Sequence, residues 1–206
     1  MNSGVGKPVS PAVIRRLPIY YRFLADLLNR DVGRISSKEL AEKMNLTASQ
    51  IRQDLNCFGG FGQQGYGYNV AMLHNEIGKI LGLDKGLSAI LVGVGNLGHA
   101  FANNIDFKAA GFNLMAAFDK SPSIIGQTLS GMTVYSVEDM ESYCRTHRVD
   151  AAVLCVPKPV ANAIADQLIN CGVRAFWNFT YADISTGHPD IIVENAHLGD
   201  GLMTLC

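Results

Sequence analysis

Ser88-Ala-Ile-Leu-Val-Gly-Val-Gly-Asn-Leu-Gly-His99 is the stretch from which the fold of this chain can be predicted. Its first five residues are almost all apolar, which is typical of a strand buried on both faces of a parallel sheet. Gly93, Gly95 and Gly98 then match G-x-G-x-x-G. The first glycine permits a tight turn, the second lets the backbone approach a pyrophosphate, and the third lets a helix pack close to the strand. We therefore predict a helix that begins near Gly95 and directs its free N–H groups at phosphates.

The residues after the glycine turn complete the pattern of a dinucleotide site. A helix-like stretch, His99–Ala110, precedes a second apolar strand, Phe112–Phe118, which ends at Asp119. Asp119 lies 119 − 93 = 26 residues beyond the first glycine, where an acidic side chain would bind a ribose 2′-OH. Its carboxylate would repel the 2′-phosphate of NADP(H), so we expect NADH and NAD+ as ligands, although Lys120 follows directly. The alternative is a turn with a structural role only, because glycine-rich turns also recur by chance.

Strands and helices continue to alternate along the rest of the chain. The predicted strands are Met132–Tyr135, Ala151–Val156, Val173–Trp177 and Ile191–Val193, and the predicted helices are Val137–Thr146 and Val160–Cys171. This alternation predicts an α/β fold with a Rossmann doubly wound parallel sheet, which binds ligands beyond the carboxyl ends of its strands. The candidate cofactor-binding residues are therefore Gly93, Val94, Gly95, Asn96, Leu97, Gly98, Asp119, Lys120, Val156, Pro157, Asn178 and Phe179.

The composition is that of a globular protein. Of the 206 residues, 48% are hydrophobic and 17% are charged, which excludes a disordered chain. No apolar run approaches the roughly 20 residues of a membrane span, and the N-terminal residues lack the apolar segment of a signal peptide. The five cysteines are odd in number and form no C-x-x-C pair, so neither a disulfide framework nor a zinc site is expected. We predict a cytoplasmic protein with no metal.

Charge is unevenly distributed along the chain. Residues 1–84 carry 10 Lys and Arg against 7 Asp and Glu, whereas residues 85–206 carry 7 against 11. The first part thus has a balance of +3 and the second a balance of −4, which indicates two functions, the first directed at a polyanion. We place the junction at Leu83–Gly86.

The first part has the pattern of a helical DNA-binding domain. A helix is predicted over 18–30, with Pro18 in its first turn. The segments Ser36–Glu39 and Thr47–Gln50 are capping boxes that open two further short helices. Two short helices joined by a tight turn are typical of helix-turn-helix, and a closing helix is predicted over Val70–Leu81.

The third helix and the segment after it supply the candidate DNA-binding residues. Ile51, Leu55 and Phe58 share the inward face of the helix, which leaves polar side chains outward of the types that contact bases and phosphates. Gly59–Tyr68 contains five glycines and predicts a hairpin wing. The candidates are Ser49, Gln50, Arg52, Gln53 and Asn56 on the helix, Gln63 and Gln64 at the tip of the wing, and Tyr66, which together with Phe61 and Tyr68 could anchor the base of the wing. A small helical dimerisation or substrate domain is the alternative interpretation.

The sequence offers no pair of groups for acid–base catalysis. There is no Tyr-x-x-x-Lys pair, and the histidines at 147, 188 and 197 lie in polar stretches. Cys155 is expected in mid-strand, where a cysteine is usually buried and inert. Because a dehydrogenase needs an acid or base and a substrate pocket, we expect that the cofactor is sensed and not used, and we assign no catalytic residue.

These motifs, in this order, resemble those of the Rex family of bacterial redox-sensing transcriptional repressors. The matching segments are Thr47–Leu55, Phe58–Tyr68, Gly93–Gly98, Phe118–Asp119 and Trp177–Phe179. The resemblance covers nearly the whole chain, and the block of recognition helix and wing is specific to the family. It implies a homodimer that binds a pseudo-palindromic double-stranded operator when NADH is scarce and releases it when NADH accumulates.

The resemblance also implies the domain bounds. Residues 1–84 would form a winged-helix DNA-binding domain, and residues 85–190 a Rossmann NAD(H)-binding domain. Residues 191–206 would supply the last strand and a short C-terminal segment in the dimer interface.

The chain departs from the family pattern at positions linked to the switch and to DNA. Arg22, Asn104 and His197 align with an Arg, a Tyr and an Asp that members use in contacts linked to NADH, so only the Arg is kept. Glutamines stand at 53, 63 and 64, where many members have Lys or Arg. Fewer phosphate contacts should reduce the salt dependence of DNA binding.

Two other functions fit the same residues. The first is an NAD(H)- or CoA-binding enzyme on a Rossmann fold, which turnover of NADH or tight binding of CoA would favour. The second is a nucleotide-binding partner protein that has lost DNA recognition, which the neutral wing would favour.

Overall fold

The computed structural model describes residues 9–59, 62–63 (backbone only) and 66–205. The chain divides into two compact units, with the division between Asp84 and Lys85. Each unit contains a hydrophobic core of its own. Among the described residues, no helix is long and apolar enough to cross a membrane.

The N-terminal unit is a winged helix. Its elements are α1 (Pro11–Leu28), β1 (Arg34–Ile35), α2 (Ser37–Met44), α3 (Ala48–Asn56), β2 (Gly62–Gln63), β3 (Gly67–Asn69) and α4 (Val70–Leu81). The strands form an antiparallel sheet in the order β1-β3-β2, and α1, α3 and α4 share one core. The order of helices and hairpin is as predicted, whereas β1 was not predicted.

Helix α1 begins earlier than predicted. Ser10 is its N-cap, and the Ser10 side chain accepts a hydrogen bond from the backbone N–H of Val13, so the helix starts at Pro11. The prediction of a start at Pro18 was wrong, because Pro18 lies inside the helix on its exposed side. Buried apolar side chains of α1 lie on both sides of Pro18 in the sequence, from Val13 to Leu24. The free energy gained by burying them exceeds the cost of the one backbone hydrogen bond that a proline removes.

Both predicted capping boxes mark a helix start, but only the first has both of the reciprocal hydrogen bonds that define a capping box. The Ser36 hydroxyl accepts from the backbone N–H of Glu39, and the Glu39 carboxylate accepts from the backbone N–H of Ser36. The Thr47 hydroxyl likewise accepts from the backbone N–H of Gln50. The Gln50 side chain, however, donates to Asp54 along the helix, so the second half of the predicted box is absent.

The described residues of the glycine-rich segment pair as the antiparallel strands β2 and β3, as predicted for the hairpin, and β1 pairs with the other edge of β3. Gly67 has a φ of 68°, and a Cβ there would lie 2.6 Å from the carbonyl oxygen of Ile35. Only glycine fits that position without strain. Gln64 and Phe61, predicted for the tip and base, lie outside the described residues, as does the side chain of Gln63.

The second unit is the predicted doubly wound sheet. Its elements are β4 (Leu87–Val92), α5 (Asn96–Asn104), β5 (Phe112–Asp119), β6 (Thr128–Leu129), β7 (Met132–Ser136), a 3₁₀ turn (Val137–Asp139), α6 (Met140–Thr146), β8 (Ala151–Leu154), α7 (Lys158–Asn170), β9 (Ala175–Asn178), β10 (Ile192–Asn195) and α8 (Asp200–Met203). Of these, β6 and α8 were not predicted. The strand order is β10-β9-β8-β4-β5-β7-β6, and every pair is parallel except β6 with β7. The order reverses beside β4, which places the glycine turn at the switch point.

Helix α5 is shorter than predicted. It ends at Asn104 rather than Ala110, because Ile105 has an extended backbone with φ −98° and ψ 125°. Asp106 then forms a turn by accepting a hydrogen bond from the backbone N–H of Ala109. The prediction ran to Ala110 because the apolar side chains after Asn104 continue the spacing of a helix. In the structure, one of them, Phe107, packs into the core from the turn instead.

A buried ion pair joins α1 to α3. Asp54 is 1% exposed. Its Oδ2 accepts from Arg16 Nε at 2.6 Å and from the Tyr20 hydroxyl at 2.6 Å. Its Oδ1 accepts from Arg16 Nη2 at 2.8 Å and from Gln50 Nε2 at 2.8 Å. Burial by itself would raise the pKa of Asp54, but these hydrogen bonds outweigh burial and hold the pKa below its ordinary value. The carboxylate is therefore ionised between the two helices.

We expect Asp54→Asn to remove an acid-sensitive part of the stability of the N-terminal unit. Because the pKa of Asp54 is lowered on folding, its contribution is fully present above the unfolded pKa of about 3.9 and is lost as the pH falls through the folded pKa. The variant should lose on the order of 3 kcal/mol at neutral pH, since the partly exposed Arg16 and the buried Tyr20 hydroxyl lose their ionised acceptor. Urea unfolding followed by circular dichroism, repeated from neutral pH to below pH 4, measures this.

The matched control is Asp26→Asn, which removes an exposed carboxylate from α1. It should unfold with the acid dependence of the unchanged chain. If Asp54→Asn and the unchanged chain lost stability in parallel on acidification, the ion pair would not be the source of that dependence.

Candidate functional site

The glycine turn is built by backbone contacts that allow no side chain at two of its glycines. Gly93 has a φ of 93°, and a Cβ there would lie 2.6 Å from the carbonyl oxygen of Cys155. A Cβ at Gly98 would overlap the carbonyl oxygen of Gly93. These two glycines let α5 start directly against the end of β4, as the pattern predicts.

Gly95 differs from the other two glycines because nothing in the folded unit requires it. It is exposed, its φ of −70° is open to any residue, and a Cβ there would meet no atom within 4 Å. Gly95 is the N-cap of α5, and no side chain caps that end of the helix. The space and the first N–H groups of α5 are thus open to an anion from outside the unit.

Asp119 lies beside the glycine turn, at the end of β5. Its Oδ2 accepts from the backbone N–H of Val94 at 2.7 Å, and its Oδ1 accepts from the backbone N–H of Ser121 at 2.9 Å. The carboxylate is only half-buried, so its remaining lone pairs can accept from ribose hydroxyl groups. Lys120 is exposed next to it.

Val156 and Pro157 follow β8 on the other side of the turn. The Val156 side chain lies 3.0 Å from the Cβ position built on Gly93, so it borders the turn directly. Val156 is half-buried and Pro157 is exposed. Together with Asn96 and Leu97 in the first turn of α5, they surround the carboxyl ends of the central strands, as expected.

Asn178 and Phe179 lie at the carboxyl end of β9, but their side chains face inward. Asn178 is fully buried, and its amide donates to Ala182 O and Asn195 Oδ1 while its Oδ1 accepts from Thr180. Phe179 is 7% exposed. These side chains shape the loop beside the site, so a contact of either residue with a cofactor would have to come from its backbone.

Cys155 borders Gly93 and lies directly after β8, so the prediction of a mid-strand position was wrong. The residue is half-buried, and burial raises the pKa of its thiol to about 12, which keeps it protonated at neutral pH. Among the described residues, no group of three or more His, Cys, Asp or Glu side chains could hold a metal ion.

The candidate recognition helix α3 presents a polar outer face. Ser49, Arg52, Gln53 and Asn56 are exposed, whereas Gln50 is half-buried because it leans on Asp54. Arg52 Nη1 donates a hydrogen bond to the Ser37 hydroxyl at 3.0 Å, which holds the guanidinium at the start of α2.

Sequence reasoning missed the network around Asp54. Asp54 falls three residues after Ile51 and one before Leu55, on the inward stripe of α3, and an acidic residue at an inward position indicates a buried partner. Its partners Arg16 and Tyr20 are distant in the chain, so only the tertiary structure could identify them.

Tyr66, predicted near the base of the wing, is 69% exposed. Its carbonyl oxygen accepts from Arg34 Nη1 at 3.2 Å, which ties the hairpin to β1. The ring is therefore free to contact a ligand, whereas Tyr68 in β3 is buried and anchors the wing in the core.

The predicted switch residues make local contacts. Arg22 is exposed on α1. The Asn104 amide donates to the carbonyl oxygen of Ala100 in its own helix. The His197 ring stacks on Tyr181 with 4.8 Å between ring centroids. Tyr181 itself has a left-handed φ of 58°, so the loop after β9 holds a strained backbone at this stack.

Two family models match this chain. The model described as "Putative DNA-binding protein N-terminus" matches residues 8–56, which include α3. The model described as "CoA binding domain" matches residues 84–182, which include the glycine turn.

Relatives and solved structures match both units together. The redox-sensing transcriptional repressor Rex of Thermoanaerobacter sp. (strain X514) is 52% identical over 96% of this chain and 88% of its own. The Rex repressor of Clostridium beijerinckii is 51% identical over 97% and 94%. The crystal structure of RSP in complex with β-NAD+ and operator DNA has a TM-score of 0.91 at 52% identity, covering 97% of this chain and 91% of RSP. RSP in complex with β-NADH has a TM-score of 0.89 at 49% identity, covering 97% and 93%.

These relatives are repressors and not enzymes, which agrees with the expectation of a site that binds a cofactor without using it. Since the likeness runs through the winged helix and the Rossmann unit alike, the chain belongs to the Rex family of redox-sensing transcriptional repressors.

Proposed function

We propose that this chain is a transcriptional repressor that binds operator DNA through α3 and the wing and releases it when NADH binds at the glycine turn. The observation that carries the proposal is the likeness to RSP, whose structures hold β-NAD+ with operator DNA and, separately, β-NADH. The geometry of both units supports it. A cytoplasmic location and the absence of a metal belong to the same proposal.

The DNA contacts are assigned to the exposed polar face of α3 and to the wing. Side chains at the N-terminal end of a recognition helix reach base edges, and cations and amides farther along bind phosphates. We assign base contacts to Gln50 and Arg52, and backbone contacts to Ser49, Gln53 and Asn56. The wing residues 63, 64 and 66 complete the set.

The cofactor contacts are assigned around the N-terminus of α5. Residues 93–98 would hold the pyrophosphate, Asp119 the adenosine ribose, with Lys120 beside it, and Val156 and Pro157 the neighbouring apolar surface. The matched domain is named for CoA, but CoA carries a phosphate on its adenosine ribose. A carboxylate facing that ribose would repel the phosphate, so Asp119 favours NAD(H) over both CoA and NADP(H).

A homodimer is proposed from the apolar surface of the second unit. One face of its sheet has an open apolar cavity of about 360 Å³, lined in part by Trp177, Phe107 and Ile192. Exposed apolar side chains of the C-terminal segment lie in the same unit, and such surfaces mark interaction sites. We therefore place residues 191–206 in the dimer interface. The exposed apolar residues of that segment are Ile192, Leu198, Leu202, Met203 and Leu205, each at least 61% exposed.

The switch is proposed to involve Arg22, Asn104 and His197. NADH must bind the released form of the dimer better than the DNA-bound form, because a ligand shifts an equilibrium only by its differential affinity. A tenfold loss of DNA affinity needs about 1.4 kcal/mol of coupling.

The central prediction is that NADH lowers operator affinity at least about tenfold, whereas NAD+ does not. Fluorescence anisotropy of labelled DNA from upstream of the chain's own gene, at fixed salt, measures this during titration with each cofactor. Binding couplings are reciprocal, so operator DNA should weaken NADH binding by the same factor. DNA binding that ignores NADH would mean that Asn104 and His197 break the switch. Absence of DNA binding at low salt would favour a partner protein or, if NADH is turned over, an enzyme.

Gly95→Ala should weaken NADH binding at least about tenfold while the protein stays folded and keeps its operator affinity. The added methyl group meets no protein atom, but it occupies the space through which the pyrophosphate approaches the backbone. Isothermal titration with NADH, and thermal unfolding of the same sample, measure the two effects.

Gly98→Ala is the contrasting variant, because its methyl group would overlap the carbonyl oxygen of Gly93 and should lower the unfolding temperature. Unchanged NADH affinity in Gly95→Ala would place the pyrophosphate elsewhere. Titrations with NADPH and CoA should give weaker binding than NADH.

Ile192→Glu should convert the dimer to monomer and reduce operator affinity, because a charge on a desolvated apolar face is costly and the two half-sites need two recognition helices. Sedimentation equilibrium and DNA anisotropy measure this. The control is Val160→Glu on α7, which is also exposed, at 45%, but does not line the cavity. Dimers in both variants would move the interface away from this face.

A further inference from the structure

Gln50 is the third residue of α3, and the direction of its side-chain amide is constrained by the protein. Its Nε2 lies 2.8 Å from Asp54 Oδ1, one turn farther along the helix. Asp54 is 1% exposed, whereas Gln50 is half-buried and therefore reaches the surface. One side of the amide thus faces the interior and the other faces outward.

The chemistry of Asp54 decides which end of the amide faces inward. An ionised carboxylate accepts hydrogen bonds and has none to donate. Both Asp54 oxygens are held in place by donors from α1, with Arg16 on each oxygen and Tyr20 on Oδ2. A reversed amide would point its carbonyl oxygen at a negative charge, so the Gln50 amide cannot flip as a free side chain can.

We propose that Asp54 is a positioning residue for DNA recognition: it holds the Gln50 amide with Nε2 inward and Oε1 outward, so that Gln50 reads DNA as a hydrogen-bond acceptor. In the major groove the donors are the exocyclic amino groups of adenine N6 and cytosine N4. Gln50 therefore selects an amino-bearing base at one operator position. This inference rests on the proposed DNA-binding function and specifies one contact within it.

The Arg16–Tyr20–Asp54 network extends this constraint to the whole recognition helix. Arg16 and Tyr20 lie one turn apart on α1, and both donate to the same carboxylate, so α1 determines where the first turns of α3 stand. The reading direction of Gln50 is thus set by side chains from α1 that are not themselves on the outer face of α3.

The experiment first locates the base that Gln50 contacts. Duplexes are selected from a randomised library with the full-length protein and with Gln50→Ala. The operator position at which the alanine variant loses base preference is the Gln50 position. The proposal expects adenine or cytosine there, and a variant that relaxes no position overturns it.

The second step tests the direction of the hydrogen bond with base analogues. At the Gln50 position, the selected base is replaced by its analogue without the exocyclic amino group, and anisotropy compares the two duplexes. We expect about fivefold to tenfold weaker binding, the effect of one lost hydrogen bond, and no such difference in Gln50→Ala. Equal affinities for both duplexes in the unchanged chain overturn the proposal. So does dependence on adenine N7 alone, measured with 7-deazaadenine.

The third step tests Asp54 as the cause. In Asp54→Asn the side chain at 54 can donate as well as accept a hydrogen bond, so both directions of the Gln50 amide become available. The ratio of the affinity for the duplex with the amino group to the affinity for the duplex without it should then fall below about twofold. The double variant Gln50→Glu, Asp54→Asn restores an acceptor on the outward side and should restore the ratio. A merely structural loss would weaken both duplexes equally and leave the ratio unchanged, which overturns the positioning role.

Failure of this inference is distinguishable from failure of the proposed function. If no duplex binds the unchanged chain specifically, the repressor function fails. If duplexes bind with the same affinity whether or not the amino group is present, the repressor function stands and the role of Asp54 falls.

Discussion

The contact between the backbone of Gly98 and the carbonyl oxygen of Gly93 is the constraint on which the second unit depends. It lets α5 begin immediately after β4, at the point where the strand order reverses. With α5 there, its uncapped N-terminus opens onto the carboxyl ends of the strands, and Asp119 reaches the same turn through the backbone of Val94. The candidate cofactor site is therefore a consequence of close helix–strand packing, and Gly95, whose Cβ position has no atom within 4 Å, leaves open space at the N-terminus of α5.

The corresponding constraint in the N-terminal unit is the buried carboxylate of Asp54. Four donated hydrogen bonds offset the cost of burying its charge, and they come from two helices. A single acidic side chain thereby fixes the placement of α3 against α1 and the direction of the Gln50 amide. In the proposed contact of Gln50 with a base, stability and recognition would use the same atoms, which would link the acid sensitivity of the unit to its choice of base.

Much of the fold and part of the site could be predicted from local patterns. The glycine turn, the strand ending at Asp119, the helix-turn-helix and the hairpin each have a signature within a few residues. The errors arose where local signals were ambiguous. A proline fits the first turn of a helix as well as the exposed side of a helix interior, so Pro18 did not decide where α1 begins. The apolar residues after Asn104 keep the spacing of a helix, although the helix ends at Asn104 and Ile105 is extended. The inward direction of Asn178 could not be foreseen either, because its partners come from the segments after β9.

The sequence by itself determined most of the helices and strands and the glycine turn that forms the candidate phosphate site, because turn geometry, capping and burial period depend on neighbours in the chain. Only the tertiary structure decided which polar side chains remain free to act. Gln50 and Asn178 look equally available in the sequence, but one is turned by Asp54 and the other is consumed by Thr180, Ala182 and Asn195. Several of these partners lie within four residues, but Asp54 is itself oriented by Arg16 and Tyr20, and Asn178 also binds Asn195. Those hydrogen bonds join segments distant in the chain and carry no local signature, so they become visible only in the folded chain.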